Sequence, residues 1–335
     1  MSAKAAAAII GAGSWGTALG IVLSPRFERI RLWAHESDLV ERMFSTRIND
    51  VFLPGFSLPL NVEPTADLGY ALEDAGIVVG AMPSRFARPL YGEMLPYLTP
   101  EMRFVSATKG LEQGTLLRMS EVACQAIGRK FEPRVAVLSG PTFAREVARG
   151  EPTALVIASA DRELAASIQR EFSGPTFRLY ANHDPVGVEL GAALKNIVAI
   201  GAGICDGLGL GSNAIAALIT RGLAEITRLA IALGGRPKTL AGLAGLGDLV
   251  LTCNGNLSRN RTVGIELAKG RTLADIIGSM TMIAEGVETT AAACGLARKC
   301  QVDMPITMQM DAILRGQTSP REAIRELMER ELKAE

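Results

Sequence analysis

Lys195 stands alone in an apolar, small-residue stretch, Gly191-Ala192-Ala193-Leu194-Lys195-Asn196-Ile197-Val198-Ala199-Ile200. On a helix, residues three and four positions away share one face. For Lys195 these are Gly191, Ala192, Val198 and Ala199, small apolar residues with no anion among them. A buried cation is unfavourable unless something nearby needs it. Such a lysine either runs its stem out to water or faces a ligand. Desolvation also makes a neutral amine available for proton transfer to or from an alcohol oxygen.

Four further groups have types and spacings suited to chemistry. Gly11-Ala12-Gly13-Ser14-Trp15-Gly16 fits G-x-G-x-x-G. A strand before it and a helix over Thr17–Leu23 after it make a dinucleotide site the expected reading. A tight strand-to-helix turn without a cofactor is the alternative. Lys109, in Ser106-Ala107-Thr108-Lys109-Gly110, directly follows an apolar strand, and Gly140-Pro141-Thr142-Phe143 follows the next. Parallel sheets bind ligands outside the carboxyl ends of their strands, although a proline there also suits an ordinary helix start. Gly242-Leu243-Ala244-Gly245-Leu246-Gly247-Asp248 is a second glycine-rich turn ending in an acid. By itself it reads as a flexible turn with a solvated aspartate. Ser258 is a good N-cap, which places Arg259 and Asn260 in a first helical turn. Free N–H groups there, with an arginine, suit a phosphate. An exposed basic turn is the alternative, but arginine opposes the helix dipole at that end.

NAD-preferring sites usually carry an acid at the end of the second strand, on the ribose 2′-hydroxyl. Here the chain reads Leu32-Trp33-Ala34-His35-Glu36. Neutral Ala34 beside His35, a potential cation, tolerates a 2′-phosphate, so NADP(H) is expected to be accepted. Glu36 serves the ribose if the strand ends later, and His35 is otherwise a surface histidine. His183 stands at the domain boundary, which leaves Lys195 as the better proton relay.

These groups need elements to hold them. Apolar runs at Ala5–Ile10, Ile30–Ala34, Ile77–Met82, Phe104–Ala107, Val135–Leu138 and Ala154–Ala158 alternate with amphipathic segments such as Asp38–Phe44 and Leu116–Ile127. This is the rhythm of a parallel sheet covered on both faces. Phe52–Pro64, with three prolines, reads as a loop. Beyond His183 helical patterns take over: Val186–Ile204, Asn213–Leu233, Arg259–Lys269, Glu285–Lys299, Thr307–Leu314 and Pro320–Leu332. The expected architecture is α/β, a Rossmann-like N-terminal domain over residues 1–183, with an all-α C-terminal domain over residues 184–335.

Composition narrows the class. A chain of 335 residues suggests about two domains, and 48% hydrophobic residues exclude a disordered chain. Formal net charge is zero, whereas a dedicated nucleic-acid binder would show a basic excess. Five cysteines without a C-x-x-C pair, and only two histidines, argue against a zinc site. They read as reduced core thiols of a cytoplasmic protein. The first apolar run leads straight into the glycine loop, unlike a signal peptide. Glu189, Lys195 and Asp206 interrupt the longest later stretch, so no membrane span is expected.

The ordered set Gly11-Ala-Gly-Ser-Trp-Gly16, Ala107-Thr-Lys-Gly110, Leu138-Ser-Gly-Pro-Thr-Phe143, Gly191-Ala-Ala-Leu-Lys-Asn196, Gly245-Leu-Gly-Asp248, Ser258-Arg-Asn260 and Ala284-Glu-Gly-Val287 resembles the bacterial NAD(P)-dependent glycerol-3-phosphate dehydrogenase family. The likeness runs from about residue 5 to about residue 315. It implies reversible reduction of dihydroxyacetone phosphate to sn-glycerol 3-phosphate with NADPH or NADH, feeding phospholipid synthesis, in a cytoplasmic homodimer. It also implies roles. Lys195 would be the proton acceptor in the oxidative direction, oriented with the substrate oxygens by Asp248 and Asn196. Ser258, Arg259 and Asn260 would form a substrate-binding turn, Arg259 also reaching the cofactor. Lys109, Gly140 and Thr142 would be substrate contacts, Lys109 being shared with the cofactor. Ser14, Trp15, His35, Ala144, Ile283 and Glu285 match cofactor positions, alongside Gly11, Gly13 and Gly16. Two departures stand out: Ser212 where relatives often carry aspartate, and His35 where many carry arginine.

Two other functions fit parts of this pattern. One is a related dehydrogenase acting on a sugar acid or hydroxy acid, though the Ser258–Asn260 helix start suits phosphate better than carboxylate. The other is a non-enzymatic NAD(P)-binding regulator, which would need neither a buried lysine nor Asp248.

Overall fold

The computed structural model describes residues 6–280 and 284–331. Two compact units emerge: Met1–Lys109 with Leu117–Glu189, and Gly110–Leu116 with Leu190–Glu335. The short segment 110–116 therefore belongs to the second unit, and the chain crosses between units at three points rather than one.

The first unit is built on eight strands: β1 Ala6–Ile10, β2 Ile30–Trp33, β3 Val62–Thr65, β4 Ala75–Gly80, β5 Arg103–Ser106, β6 Arg134–Ser139, β7 Thr153–Ala158 and β8 Phe177–Asn182. They form one sheet in the order β3-β2-β1-β4-β5-β6-β7-β8. Helices α1 Ser14–Leu23, α2 Ser37–Thr46, α3 Leu68–Leu72, α4 Ser84–Met94, α5 Met119–Ile127, α6 Ala144–Ala148 and α7 Arg162–Phe172 connect them. Successive strand residues alternate between two apolar layers: Ile9, Val79, Val105 and Leu138 face one cluster, and Ala8, Ile10, Val78 and Phe104 face the other. This double burial is why the strands read as continuous apolar runs rather than alternating ones.

Three features depart from the sequence-based expectation. First, the sheet is mixed, because β6 and β7 pair antiparallel. The link between them carries only the five-residue α6. At 1.5 Å per residue that is about 8 Å of helix, too short for a crossover back along β6. Second, Val62–Thr65 is a strand inside the expected loop. Pro64 is tolerated because β3 lies at the sheet edge. Third, β8 lies at the opposite edge, and its burial alternates over Phe177, Arg178, Leu179 and Tyr180. Ala5 and Leu332, the ends of two expected elements, lie outside the described residues.

α8 Pro185–Gly207 begins in the first unit and continues into the second. The second unit adds α9 Ser212–Ala232, α10 Pro237–Leu240, α11 Asp248–Asn254, α12 Arg259–Ala268, α13 Leu273–Gly278, α14 Glu285–Cys300, α15 Pro305–Leu314 and α16 Pro320–Met328. α8 has 23 residues and, over its most apolar part, a mean hydropathy of 1.5. By length and composition it is able to cross a membrane, so its three charges do not disqualify it. That apolar part is, however, completely buried, which marks it as a core helix. Of the five free cysteines, Cys205, Cys253 and Cys294 are buried, whereas Cys124 is exposed and Cys300 half-buried. The core-thiol description therefore holds for three of them.

Within the second unit, α12 lies directly on the backbone of α8. A Cβ at Gly264 would sit 1.9 Å from the Ile200 carbonyl oxygen. Gly264→Ala must therefore push α12 off α8 and should lower stability by at least about 2 kcal/mol. Gly278→Ala, at a helical position with open space around it, should leave thermal unfolding almost unchanged. Equal melting temperatures for the two variants would refute this packing.

Candidate active site

The glycine loop is shaped by contact. Gly11 adopts φ +116°, and a Cβ there would lie 2.7 Å from the Ala81 carbonyl oxygen. A Cβ on Gly16 would lie 1.9 Å from the Gly11 oxygen. These two glycines let β1, β4 and α1 approach closely. Gly13 has nothing within 4 Å of its Cβ position, and as N-cap of α1 it leaves the helix start without a side-chain cap. Open space before uncapped N–H groups fits a pyrophosphate. Ser14 and Trp15 begin α1, and the buried Trp15 Nε1 has no hydrogen-bond partner within the protein. The helix starts at Ser14, earlier than the expected Thr17.

Asn49 supports this loop, and nothing in the sequence pattern marked it. It is fully buried. Its Nδ2 donates to the Ala12 carbonyl at 2.8 Å and to Thr17 Oγ1 at 2.9 Å, while its Oδ1 accepts from Phe52 N at 2.9 Å. Thr17 Oγ1 in turn donates to the Ala12 carbonyl at 3.2 Å. Its two loop partners, the Ala12 carbonyl and Thr17 Oγ1, are distant in the chain, so no spacing pattern marks the asparagine.

His35 is exposed and lies two residues beyond the end of β2, with its ring 6.2 Å from that of Trp33. Buried Ala34 precedes it and exposed Glu36 follows, just ahead of α2. Lys109 extends from the end of β5 to the end of β6. Its Nζ donates to the Gly140 carbonyl at 3.3 Å and to Thr142 Oγ1 at 3.4 Å. Two segments singled out in the sequence are thus joined. Ala144 is the first residue of α6. His183 is half-buried just before α8, with a buried Nδ1 that has no partner in the protein.

In the second unit, Lys195 is 5% exposed and its Nζ donates to Asp248 Oδ1 and, at 2.8 Å, to Thr252 Oγ1. Asp248 is 0% exposed. Removing either charge from water costs several kcal/mol, so each is tolerable only because of the other. Thr252 Oγ1 also donates to the Asp248 carbonyl at 2.6 Å. Thr252 was not among the residues singled out from the sequence, although it stands four residues after Asp248, the spacing that puts two side chains on one helix face. Cys253 lies beside this pair. Burial pushes its thiol up to about 12, with Lys195 opposing, so it stays neutral.

The turn expected to be flexible is an ordered π-helical turn over Leu243–Gly247. Gly247 N donates to the Gly242 carbonyl at 3.1 Å, the five-residue spacing of a π-turn. It leads directly into α11 and so fixes Asp248 at the helix start. One of the small residues beside Lys195 makes room for backbone. A Cβ at Gly191 would lie 2.6 Å from the Ala244 carbonyl oxygen, so Gly191 admits the π-turn backbone.

Ser258 caps α12 as expected, its Oγ accepting from Arg261 N at 3.2 Å. Arg259 and Asn260 occupy the first turn, Arg259 half-buried and Asn260 buried. Asn260 Oδ1 accepts from Gly286 N at 2.9 Å, which draws the start of α14 and Glu285 toward α12. A Cβ at Gly286 would lie 2.9 Å from the Asn196 carbonyl oxygen. Asn196, Asn260 and Gly286 therefore pack together. Ser212 is an exposed first residue of α9. Ile283 lies outside the described residues.

The arrangement contains a buried ammonium–carboxylate pair, a capped basic helix start and an uncapped glycine-loop helix start. Residues 6–165 match the family described as NAD-dependent glycerol-3-phosphate dehydrogenase N-terminus, and residues 184–325 match the corresponding C-terminus. A glycerol-3-phosphate dehydrogenase (NAD(P)+) from Koribacter versatilis is 60% identical over 325 residues, covering 96% of both chains. One from Acidobacterium capsulatum is 53% identical over 329 residues, covering 96% of this chain and 97% of its own. The crystal structure of glycerol-3-phosphate dehydrogenase from Coxiella burnetii superposes with a TM-score of 0.93 at 41% identity, covering 98% of this chain and 99% of that one. On both sequence and structure, the chain belongs to the NAD-dependent glycerol-3-phosphate dehydrogenase family.

Proposed function

We propose that this protein reversibly reduces dihydroxyacetone phosphate to sn-glycerol 3-phosphate with NADPH or NADH, with Lys195 as the proton donor and acceptor. The observation that carries this reading is the buried Lys195–Asp248–Thr252 arrangement. A bound reduced nicotinamide supplies a hydride to the substrate's carbonyl carbon. As negative charge develops on the carbonyl oxygen, the Lys195 ammonium delivers a proton to it and becomes a neutral amine. Asp248 and Thr252 hold Nζ in place while its charge changes. In the oxidative direction the neutral amine takes the hydroxyl proton, and Asp248 stabilises the ammonium that forms. A preorganised partner of this kind acts where charge develops.

The remaining roles are those the family resemblance implies, and the groups present suit them. Ser258, Arg259 and Asn260 offer N–H groups and a guanidinium for the substrate phosphate, with Arg259 also serving the cofactor. Asn196 orients substrate oxygens. Lys109, Gly140 and Thr142 contribute substrate contacts, and Lys109 a cofactor contact. Gly11, Gly13, Ser14, Trp15 and Gly16 receive the pyrophosphate region. Exposed His35, next to uncharged Ala34, accommodates a 2′-phosphate, while Ala144, Ile283 and Glu285 complete the cofactor set. In this reading residues 1–183 form the dinucleotide-binding part and residues 184–335 the substrate-binding part. A cytoplasmic homodimer supplying glycerophospholipid synthesis completes the proposal, as the family resemblance implies.

The direct test follows nicotinamide absorbance with dihydroxyacetone phosphate as substrate. Wild-type protein should oxidise NADPH, and Lys195→Met should lower turnover by about 10³-fold or more while cofactor binding persists. Unchanged turnover in Lys195→Met would refute the role of the lysine. No substrate-dependent oxidation of either NADPH or NADH would refute the activity itself. Asn49→Ala tests the loop support separately. Losing its buried hydrogen bonds should raise the KM for NADPH by about tenfold, with the KM for dihydroxyacetone phosphate nearly unchanged. The reverse pattern would show that Asn49 does not shape the glycine loop.

A further inference from the structure

Glu189 is a buried carboxylate that the reaction described above does not use. It lies in the second turn of α8, six residues before Lys195, and is 5% exposed. Its Oε2 accepts from Arg118 Nη1 at 2.6 Å and from Ser120 Oγ at 2.6 Å, and its Oε1 accepts from Ser120 N at 2.7 Å. Arg118 and Ser120 flank the start of α5, and Arg118 is tied further to Glu121 at 2.8 Å. The start of α5 and the start of α8 are thereby held as one block.

The location of this block in the chain is specific. Residues 110–116 belong to the second unit, and the chain re-enters the first at Leu117, one residue before Arg118. Leu116, with φ +63°, sits against α14, where a Cβ at Gly295 would lie 3.2 Å from its Cδ2. The chain leaves the first unit for the last time immediately after Glu189. Two of the three crossings are thus joined, within the first unit, by one carboxylate. Burial pushes the Glu189 carboxyl above the usual range, with Arg118 and Ser120 opposing. A buried ion pair is weak evidence for stability, since apolar packing often does as well; here three hydrogen bonds to one carboxylate define the geometry.

We propose that Glu189 is a positioning residue: its clasp on Arg118 and Ser120 fixes the course of α8 and so presents Lys195 and Asn196 in reactive register. Six residues of helix carry the anchor over about 9 Å. Misplacement of a reacting group by about 1 Å lowers rates by about 10²-fold. This inference rests on the proposed role of Lys195, and the test separates the two.

The full-length variants Glu189→Gln, Glu189→Asp, Ser120→Ala and Lys195→Met would be assayed with NADPH and NADPH deuterated at the transferred position. Glu189→Gln keeps the shape and removes the charge. Its kcat should fall at least tenfold with the KM for NADPH within twofold of wild type. The deuterium isotope effect on kcat should rise as hydride transfer becomes limiting. Ser120→Ala, which leaves the ion pair, should shift both quantities in the same direction by less, and it serves if Glu189→Gln does not fold. Glu189→Asp should recover part of kcat. A folded Glu189→Gln protein with wild-type kcat and isotope effect would overturn the inference. So would a kcat loss matched by an equal loss of active sites with an unchanged isotope effect, which marks a merely structural role. If Lys195→Met is inactive while Glu189→Gln is normal, only the clasp fails. If Lys195→Met is active, the reading of the lysine fails.

Discussion

The buried pair of Lys195 and Asp248 is the constraint on which the second unit depends. Neither charge is tolerable alone in the interior. Lys195 belongs to α8, whose central stretch is otherwise mostly apolar, and Asp248 stands 53 residues further along the chain at the start of α11. Bringing them together requires a close approach of backbone to backbone, supplied by Gly191 beneath the π-helical turn. It also requires that the turn be rigid, which the five-residue hydrogen bond from Gly247 to Gly242 provides. Irregular helical turns of this type recur at functional sites, and here the irregularity sets the position of a carboxylate.

The first unit solves a different problem with the same device. Its glycines are not interchangeable: Gly11 and Gly16 admit neighbouring backbone, and Gly13 leaves open space at a helix N-terminus. Fully buried Asn49 then fixes the loop from outside the motif, through Ala12 and Thr17. The shape that receives an anion is thus held by polar contacts as well as by apolar packing. In both units a site of defined shape is made by bringing backbones together rather than by large side chains.

Much of this was legible in the residues themselves. Local rules found the glycine loop, the Ser258 cap and the anomalous lysine, because each depends on neighbours close in sequence. The same rules placed Lys109, Gly140 and Thr142 at strand ends, and the fold joins them. Misread elements have physical reasons. Pro64 hides β3 because edge strands tolerate proline, and the antiparallel β7 follows from a link too short for a crossover. The glycine-rich turn before Asp248 looked flexible because glycines do not announce the five-residue hydrogen bond that orders it, nor the close approach to Gly191 of α8. Thr252 was readable from its spacing to Asp248. Asn49 and Glu189 were not, since the glycine-loop partners of Asn49 are 32 and 37 residues away and the partners of Glu189 are 69 and 71 residues away.

The central claim is that Lys195 and Asp248 act as one proton-handling unit. A double-mutant cycle on single-turnover hydride transfer, with Lys195→Met, Asp248→Asn and the double variant, tests it most directly. Residues that act as a unit are strongly non-additive. The double variant should therefore be no slower than the worse single variant. If instead the two rate losses multiply in the double variant, Lys195 and Asp248 act independently, and the account is contradicted.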